Sequence, residues 1–531
     1  MLYGYTFYRI YYVCACIKMT KLYIFFYNFQ DKWHLVYYNI HNSREIVAIG
    51  EMIVPFSLKS KGVLTMKEYN PVTAEVIDAL KAVVGDKYVK TDADVLDIYK
   101  SDESLAPSFW KTPEVVVLPA NTQEVSEIMK IANRFDVPVT PRSAGTSVSC
   151  GAVPAYKGIV LLMERMNHII ELNEDGMYMT VEAGVRTIDI QNAAREKGLL
   201  YAGDPCSSDS CLIGGNLATN AGGNKAVRYG TTRHQVYSIE AVLPTGKIVN
   251  LGATLKKCST GFCLDQLIIG SEGTLGIITK ATLKLVPLPP YKLDVLAVFT
   301  DLAKATALVP KLIKAGLNPT SVEFMDNNFV RSASDYSDLK LPHYEDGCYD
   351  IISIETFNED ELDDKMEKLA AVCEECGATD IVEADDRVWK VRRNCLESTR
   401  VFSKVATSED LVVPVTKIAD CIQTLVKESK NYDFRVFCLA HAGDGNLHFQ
   451  ILKCDMSDED WEKQLKEFRA KAYKYVYGLG GRLSGEHGIG LKRLKYMEEY
   501  TDPAELDLMK TIKRAVDPKW ILNPGKVIEE N

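Results

Sequence analysis

Apolar and polar positions along the first half of the chain predict alternating strands and helices. The run Val115-Val116-Val117-Leu118-Pro119 is continuously apolar, which is typical of a buried strand. Asn121 and Glu124 then form a capping pair for a helix that reaches Phe135. A second strand, residues 137–140, leads into the loop 141–152. This strand–helix–strand–loop order predicts an α/β binding unit.

From about Leu293 the pattern changes. It predicts a strand at residues 295–299, a helix at 302–315 and a strand at 321–325. A similar set follows, with a strand at 351–355, a helix through Leu362, Met366, Leu369 and Val372, and a strand near Ile381. Two such units predict a ferredoxin-like sheet with helices on one face.

The first 65 residues differ from the rest in composition. Nine of the 27 tyrosines precede residue 40, and charged residues interrupt every apolar run, so neither a signal peptide nor a membrane span of about 20 apolar residues is predicted. Such composition is typical of translated AT-rich non-coding DNA, and Lys61-Gly62-Val63 is compatible with a ribosome-binding sequence in the gene. We therefore expect residues 1–65 to be a non-native or mis-assigned extension and Met66 to be the true start.

Composition narrows the functional classes further. At 531 residues the chain exceeds what one hydrophobic core organises, so several domains are expected. The net charge of −10 disfavours non-specific nucleic-acid binding and a polybasic membrane anchor. Fourteen cysteines without a regular framework favour reduced thiols and a cytoplasmic location.

Three glycine-rich segments are candidates for phosphate binding: residues 141–152, 203–223 and 269–279. Small residues let backbone N–H groups approach phosphate oxygens without obstruction by side chains. The first segment alone is equally compatible with an ordinary strand-to-loop turn. Two glycine pairs within residues 214–223 strengthen the binding interpretation, because they require close approach of the backbone to a neighbour.

Two short segments hold three of the eight histidines next to a carboxylate. They are residues 441–448, with His441 and His448 at either end of a glycine turn, and Ser484-Gly485-Glu486-His487-Gly488. Such a set can bind a divalent metal and leave one imidazole as a base. By contrast, His168 and His234 are interpreted as ordinary structural residues.

Other candidate residues allow two interpretations. Arg392 and Arg393 offer the guanidinium fork that binds a carboxylate, but either can be a solvated helix arginine. Cys373 and Cys376 have the spacing of a metal-binding pair, yet no second pair accompanies them. We therefore expect core packing there rather than iron–sulfur ligation.

The three glycine segments resemble, in order and spacing, the FAD domain of vanillyl-alcohol-oxidase-type flavoproteins. The C-terminal half resembles the FAD-linked oxidases that include D-lactate dehydrogenases, the flavin subunit of glycolate oxidase and D-2-hydroxyglutarate dehydrogenase. The resemblance runs from Met66 to Lys526. It implies an α+β fold, with a two-subdomain FAD-binding domain followed by a ferredoxin-like substrate (cap) domain. The implied divisions are a helical segment at 66–110, the FAD-binding domain at 111–290, the substrate- and metal-binding cap at 291–515, and a C-terminal tail at 516–531 that returns to the flavin site.

The resemblance also implies roles for individual residues. It makes His441, His448 and Glu486 ligands of iron(II), zinc or manganese. His487 becomes the base, Arg392 holds the substrate carboxylate, and Asn446 joins them in the catalytic set. FAD is expected to be bound non-covalently, because the first loop lacks the histidine to which some relatives attach it. The implied cofactor-binding residues are Arg142, Ser143, Ala144, Gly145, Thr146, Ser147, Gly151, Asp204, Gly215, Thr219, Gly222, Gly223, Gly273 and Ile278.

The implied activity is oxidation of a small D-2-hydroxy acid, above all D-lactate to pyruvate. Ser408 stands where the hydroxyglutarate enzymes carry a lysine, which weakens the case for a dicarboxylate. The loop 143–151 resembles that of lactate dehydrogenases from anaerobic bacteria. It therefore implies an electron-transferring flavoprotein, with its alpha and beta subunits, as partner in electron bifurcation. The alternatives are an enzyme like glycolate oxidase or D-2-hydroxyglutarate dehydrogenase, a non-redox flavin transferase of the same superfamily, and a docking subunit that is inactive alone.

Overall fold

The computed structural model describes residues 22–29, 32–39, 67–104 and 107–530. The chain divides into two compact units, Met1–Lys67 and Glu68–Asn531. In the first unit, Leu22–Phe29 (β1) and Lys32–Asn39 (β2) pair as an antiparallel hairpin. The predicted extension comprises residues 1–65. Apart from these two strands, it lies outside the described residues, as does Met66.

The second unit begins with a four-stranded sheet in the order β3-β4-β6-β5. β4, β6 and β5 run parallel and β3 runs antiparallel to β4. The capping prediction is confirmed, because the Asn121 side chain accepts a hydrogen bond from the Glu124 backbone N–H at 3.0 Å. The elements of this part are α1 (Ala74–Val84), β3 (Val89–Lys90), α2 (Ala93–Ile98), β4 (Val115–Val117), α3 (Thr122–Phe135), β5 (Val139–Arg142) and β6 (Ile159–Leu162).

A five-stranded antiparallel sheet follows, in the order β11-β10-β12-β8-β7. It has its own buried core, and β13 and β9 pair separately. Its elements are β7 (Ile169–Asn173), β8 (Tyr178–Glu182), α4 (Thr187–Arg195), β9 (Leu199–Leu200), α5 (Ile213–Thr219), α6 (Ala226–Tyr229), β10 (Val236–Val242), β11 (Ile248–Gly252), α7 (Leu264–Ile268), β12 (Ile277–Lys284) and β13 (Val286–Pro287).

The C-terminal part is organised around a seven-stranded antiparallel sheet in the order β17-β14-β16-β15-β19-β20-β18. The strands are β14 (Tyr291–Phe299), β15 (Ser321–Met325), β16 (Cys348–Thr356), β17 (Asp380–Glu383), β18 (Ala406–Val412), β19 (Arg435–His441) and β20 (Asn446–Leu452). The helices are α8 (Leu302–Thr306), α9 (Leu308–Lys314), α10 (Asn327–Ser337), α11 (Glu361–Glu375), α12 (Asp386–Arg393), α13 (Cys395–Ser398), α14 (Ile418–Ser429), α15 (Asp458–Gly478), α16 (Leu494–Tyr500) and α17 (Pro503–Val516).

The predicted helix at 302–315 is interrupted at Ala307 and forms α8 and α9. Pro310 explains the break, because proline has no N–H to donate to the carbonyl of Thr306 and its ring crowds that carbonyl. Pro310 is tolerated in the first turn of α9, where no such donor is needed.

Helices cover both faces of the seven-stranded sheet, which corrects the expectation of one helical face. Along β14, Val295, Ala297 and Phe299 belong to one buried core, whereas Leu296 and Val298 belong to another. Because successive side chains of a strand point to opposite faces, both faces are buried. Cys373 and Cys376 lie in the first of these cores, which confirms the packing interpretation.

The end of the chain returns to the first sheet. Leu522 forms a parallel bridge with Val139 at the start of β5, and the Asn523 N–H donates to the Val139 carbonyl at 2.7 Å. The Asn523 side chain also donates to the backbone oxygen of Glu272 at 2.7 Å. The third glycine segment is thereby tied to this returning strand. Among the described residues, no helix is both long enough and apolar enough to cross a membrane.

A buried lysine fastens the returning segment, and its removal is expected to destabilise the protein. Lys513 Nζ pairs with Asp517 Oδ2 at 2.6 Å and donates to the carbonyls of Thr274 and Leu522. Lys513→Met leaves a buried carboxylate without its cation, so unfolding free energy should fall by about 3–5 kcal/mol in urea titrations. Lys510 lies on the same helix as Lys513 and forms a partly exposed pair with Glu498 of the preceding helix, so Lys510→Met should cost about 0–1 kcal/mol. Equal losses in the two variants would contradict this assignment.

Candidate active site

A cavity of about 310 Å³ lies where the three glycine segments meet the loop 484–490. The structure places most of the predicted cofactor-binding residues on its wall. Asp204 and Gly223 are not among its lining residues and instead pack against each other. A Cβ on Gly223 would lie 2.1 Å from the Asp204 carbonyl oxygen. The predicted residues that line the cavity are Arg142, Ser143, Ala144, Gly145, Thr146, Ser147, Gly151, Gly215, Thr219, Gly222, Gly273 and Ile278.

The glycines of this wall are required by local geometry. Gly145 has φ +78°, a left-handed conformation that favours glycine, and its added Cβ would overlap the Arg142 guanidinium. A Cβ on Gly215 would lie 3.3 Å from Ser143 Cβ, so the second segment approaches the first at backbone distance. At these glycines the backbone can approach a ligand without obstruction by side chains, which fits a dinucleotide pyrophosphate.

Polar groups of the first segment are held in fixed positions. The Arg142 guanidinium lies over the Tyr99 ring and its Nη1 donates to the Ser101 carbonyl at 2.6 Å. The Ser147 hydroxyl oxygen accepts from the backbone N–H of Ser149 and of Gly151, both at 3.2 Å. Ser147 Oγ also lies 3.2 Å from Ser149 Oγ, whose own hydrogen goes to the His487 carbonyl, so the Ser147 hydroxyl is hydrogen-bonded within its own loop.

Several lining residues lie outside the predicted set. Most are small or apolar and had no individual chemical signal in the sequence. They include Pro141, Val148, Ala152, Met163, Pro205, Cys206, Ser207, Leu212, Gly214, Asn216, Ala218, Ala221, Ile268, Glu272, Gly276, Ile277 and Leu396.

Glu272 joins the glycine segments to the loop that carries His487. Its carboxylate accepts from the backbone N–H of Ile489 at 2.6 Å and of Gly490 at 2.7 Å. Burial raises the pKa of Glu272, and the two N–H donors oppose that shift. The Ser149 hydroxyl adds a further bond, to the His487 carbonyl at 3.0 Å. His487 is therefore fixed relative to the cofactor cradle by main-chain contacts.

The predicted metal ligands converge on one point. His441 is the last residue of β19, and His448 lies near the start of β20, across a tight turn. His448 Nε2 is 3.1 Å and His441 Nε2 is 3.4 Å from Glu486 Oε1, and all three donor atoms lie within 4.8 Å of one another. The turn needs Gly445, which has φ +89° and no room for a Cβ against the Val413 carbonyl.

The electrostatics of this set suit a cation. Burial disfavours a charged His441, but Glu323 and Glu486 outweigh it and raise the pKa of His441 well above its usual value. Burial likewise disfavours the Glu486 anion, but His441 and His448 bring the pKa of Glu486 well below its usual value. Two imidazole nitrogens and a carboxylate are ligands typical of zinc, iron(II) and manganese, so the residues present fit such an ion.

His487 lies beside this set. Its ring stacks on His448 with centroids 5.1 Å apart, and its Nε2 is 3.7 Å from Glu486 Oε1. Its Nδ1 is 3.6 Å from Asp410 Oδ2 and has no hydrogen-bond partner among the described residues. Burial lowers the pKa of His487 to about 4, although Asp410 opposes the shift. The imidazole is therefore neutral near pH 7, which is the form a base requires.

Asp410 organises the segment from Ser484 to His487. Its Oδ2 accepts from the Ser484 hydroxyl at 2.6 Å and from the N–H of Glu486 and His487 at 3.2 and 2.8 Å. Its Oδ1 accepts from the Gly485 N–H at 3.2 Å. With these bonds made, Asp410 acts as an anchor, although it also forms a possible ligand group with His448 and His487.

Arg392 and Asn446 lie in the same region. The Arg392 side chain is only 12% exposed and pairs with the buried Glu323, so the solvated-arginine alternative is wrong for it. Arg393 is exposed, as that alternative describes. Asn446 is buried, and a Cβ on Gly485 would lie 2.2 Å from Asn446 Nδ2. The loop therefore approaches Asn446 at the start of β20 this closely because position 485 is glycine.

The glycine-lined cavity and the predicted metal ligands share a wall. Glu486 and His487 both line the cavity, and a Cβ on Gly222 would lie 2.7 Å from Glu486 Oε2. The predicted ligands therefore lie directly beside the space that the glycine segments enclose.

Two family models match the chain. A FAD binding domain matches residues 113–252 and the C-terminal domain of FAD linked oxidases matches residues 288–527. A D-lactate dehydrogenase of Anaerostipes hadrus is 36% identical over 87% of this chain and 98% of its own length. The chain belongs to the FAD-linked oxidase family. This FAD-linked oxidase is also 35% identical to the glycolate oxidase subunit GlcD of Bacillus subtilis, over 82% of this chain and 92% of the relative. A D-lactate dehydrogenase of Archaeoglobus fulgidus is 37% identical over 82% of this chain and 96% of its own length.

Solved structures show the same fold at lower identity. p-Cresol methylhydroxylase aligns with a TM-score of 0.71 at 17% identity, covering 86% of this oxidase and 96% of that chain. Alkyldihydroxyacetonephosphate synthase aligns with a TM-score of 0.67 at 20% identity, and the alignment covers 87% of this oxidase and 88% of that chain. The predicted α+β fold with a vanillyl-alcohol-oxidase-type FAD domain is confirmed. At these identities the likeness concerns the fold alone.

The anchoring role of Asp410 can be measured through backbone amides. In the wild type, the N–H groups of residues 485–487 donate to both carboxylate oxygens of Asp410. Asp410→Asn keeps only one acceptor oxygen, so some of these N–H groups lose their partner. Each loss costs about 1–3 kcal/mol, and these amides should exchange with deuterium about 10-fold faster or more. Asp420→Asn, at an exposed carboxylate that accepts from Tyr475, serves as control and should leave residues 485–487 unchanged. Unaltered exchange in Asp410→Asn would refute the role.

Proposed function

We propose that this FAD-linked oxidase oxidises a small D-2-hydroxy acid, D-lactate to pyruvate, with FAD and one divalent metal. The observation that carries the proposal is the convergence of His441, His448 and Glu486 at the wall of the cofactor cradle, with His487 beside them. Bound in these sites, a metal would supply polarisation of the substrate hydroxyl, and FAD would supply an acceptor for the hydride from Cα.

The chain's own residues supply positioning and proton transfer. His441, His448 and Glu486 would hold the metal. His487 takes the hydroxyl proton at Nε2, the ring nitrogen nearer the metal ligands, while Nδ1 faces Asp410. The negative charge of Asp410 stabilises the imidazolium that forms. Asn446 is proposed to orient the hydroxy acid, because its buried Oδ1 has no hydrogen-bond partner among the described residues.

Arg392 is proposed to bind the substrate carboxylate. Its Nε and Nη2 donate to Glu323, which leaves Nη1 for the substrate. A second carboxylate would need another cation, and Ser408 provides none. Lys492 is a cation in this region, but its Nζ is held by the Ser408 carbonyl at 3.1 Å. The serine at position 408, together with the two D-lactate dehydrogenases among the relatives, favours a monocarboxylate over hydroxyglutarate; glycolate is the alternative substrate.

Electrons from the reduced cofactor require an acceptor. We propose an electron-transferring flavoprotein in a bifurcating complex in the cytoplasm, supported by the resemblance of loop 143–151. In the described part of the chain, the candidate metal groups contain histidine and carboxylate but no cysteine, so an internal iron–sulfur relay has no support there.

The mode of FAD attachment gives a direct test. None of the lining residues of the first segment is a histidine, and we propose non-covalent binding. Acid precipitation should release FAD into the supernatant, where absorbance and mass identify it. Flavin that stays with the pellet, or FMN in place of FAD, would contradict the proposal.

Alanine variants separate the metal ligands from the base. His441→Ala, His448→Ala and Glu486→Ala should each lose metal, measured by plasma emission spectrometry, and retain FAD. His487→Ala should keep both and reduce the rate of D-lactate-driven flavin bleaching by about 10²–10⁴-fold, which is the contribution of a positioned general base. His168→Ala, at an exposed histidine, is the matched control and should resemble the wild type. Loss of metal in His487→Ala would instead make His487 a ligand.

A further inference from the structure

Glu323 is a buried carboxylate at the centre of the seven-stranded sheet. It lies on β15 directly opposite His441 on the antiparallel neighbour β19. Its side chain is 0% exposed. A buried carboxylate is retained at little cost only when its oxygens are paired, and both oxygens of Glu323 are.

Its two oxygens serve two different functional residues. Oε1 is 2.8 Å from His441 Nδ1. Oε2 accepts from Arg392 Nη2 at 2.7 Å and Nε at 3.2 Å. Arg392 always carries its charge and directs two N–H donors at Oε2, and a neutral acid in this position would leave the guanidinium without its buried counter-ion. The group is therefore an anion and acts only as an acceptor.

This arrangement decides which nitrogen of His441 faces Glu486. A carboxylate cannot donate, so the hydrogen of the neutral His441 ring resides on Nδ1. Nε2, on the side of Glu486, then presents its lone pair. A carboxylate that accepts this hydrogen bond orients the histidine ligand and raises the basicity of the imidazole. Loss of such a carboxylate lowers metal affinity by about 10–100-fold.

The same carboxylate fixes the direction of Arg392. Two neighbouring guanidinium nitrogens are bound to one oxygen of Glu323, so the planar group cannot rotate freely. The contact orients the third nitrogen, Nη1. The geometry points to Glu323 as the positioning residue that links the metal ligand His441 to the carboxylate-binding Arg392, an inference that rests on the proposed function. One buried acid thus makes metal binding and substrate binding depend on each other.

Glu323→Gln tests the link because the amide keeps the shape and loses one acceptor. Arg392 cannot give up a proton, so the amide oxygen must face Arg392 and the NH₂ group must face His441. His441 Nδ1 then becomes the acceptor, Nε2 carries the hydrogen, and the ring is in the wrong tautomer for a metal. Calorimetric titration of the metal-stripped, FAD-loaded full chain with zinc chloride should show about 10–100-fold weaker binding, with FAD content unchanged.

Glu409→Gln is the matched control. Glu409 is also a buried carboxylate on this sheet, and it pairs with Arg469 at 2.6 Å and with the Tyr473 hydroxyl. It makes no contact with His441, His448 or Glu486 in the described residues. Its replacement should lower stability as Glu323→Gln does, yet leave zinc affinity as in the wild type.

The kinetic readout separates positioning from general damage. At saturating zinc, Glu323→Gln should raise the KM for D-lactate more than it lowers kcat, because Arg392 loses its charged partner and its direction. Glu323→Asp, which keeps both acceptor oxygens one methylene further back, should recover part of the zinc affinity. If Glu323→Gln does not fold, wild-type zinc affinity and KM in Glu323→Asp would overturn the inference.

The outcomes distinguish the inference from the proposed function. If the wild type binds zinc and Glu323→Gln binds it equally well, the inference fails and the proposed function stands. Equal weakening in Glu409→Gln would show a structural effect only and would also overturn it. If the wild type binds neither zinc nor iron(II), the metal-assisted function and the inference fail together.

Discussion

The active site depends on two buried carboxylates that hold one loop by its main chain. Asp410 binds the N–H groups that precede and include His487, and Glu272 binds those of Ile489 and Gly490. The first acid belongs to the seven-stranded sheet and the second to the glycine segments. Because both acids bind the same short segment, His487 and Glu486 have defined positions relative to the cofactor cradle and to His441 and His448.

Such an arrangement places many charges in a small, poorly hydrated volume. Isolated buried charges are costly, so each acid here is matched by donors or cations: N–H groups for Asp410 and Glu272, and His441 with Arg392 for Glu323. The same low polarity strengthens every interaction among them. The hydrogen bonds that offset the cost of burying these acids therefore also define their orientation.

Local sequence signals predicted the individual helices and strands well, but they did not predict pairing between distant residues. The Asn121 cap and the strand 321–325 follow from neighbouring residues, and the structure has both. The break at Ala307 was also encoded locally, in Pro310, as was burial of both faces of β14 in the uninterrupted run 295–299. The histidine and glycine segments were visible because motif and spacing coincide. Glu323 was not, since a glutamate in a strand is typical of a solvent-facing position. Its partner His441 is 118 residues away, a proximity that only the sheet register creates.

The returning C-terminal segment has a consequence for how the enzyme is made. The strand that leads into the first glycine segment gains its neighbour Leu522 only when the end of the chain is available, and Asn523 then reaches the backbone of Glu272. Domains generally fold in order as the ribosome releases them. The first sheet therefore gains its last strand partner, and Glu272 its contact with Asn523, only after residues 522 and 523 have been synthesised, so this wall of the cradle is the last part to be completed.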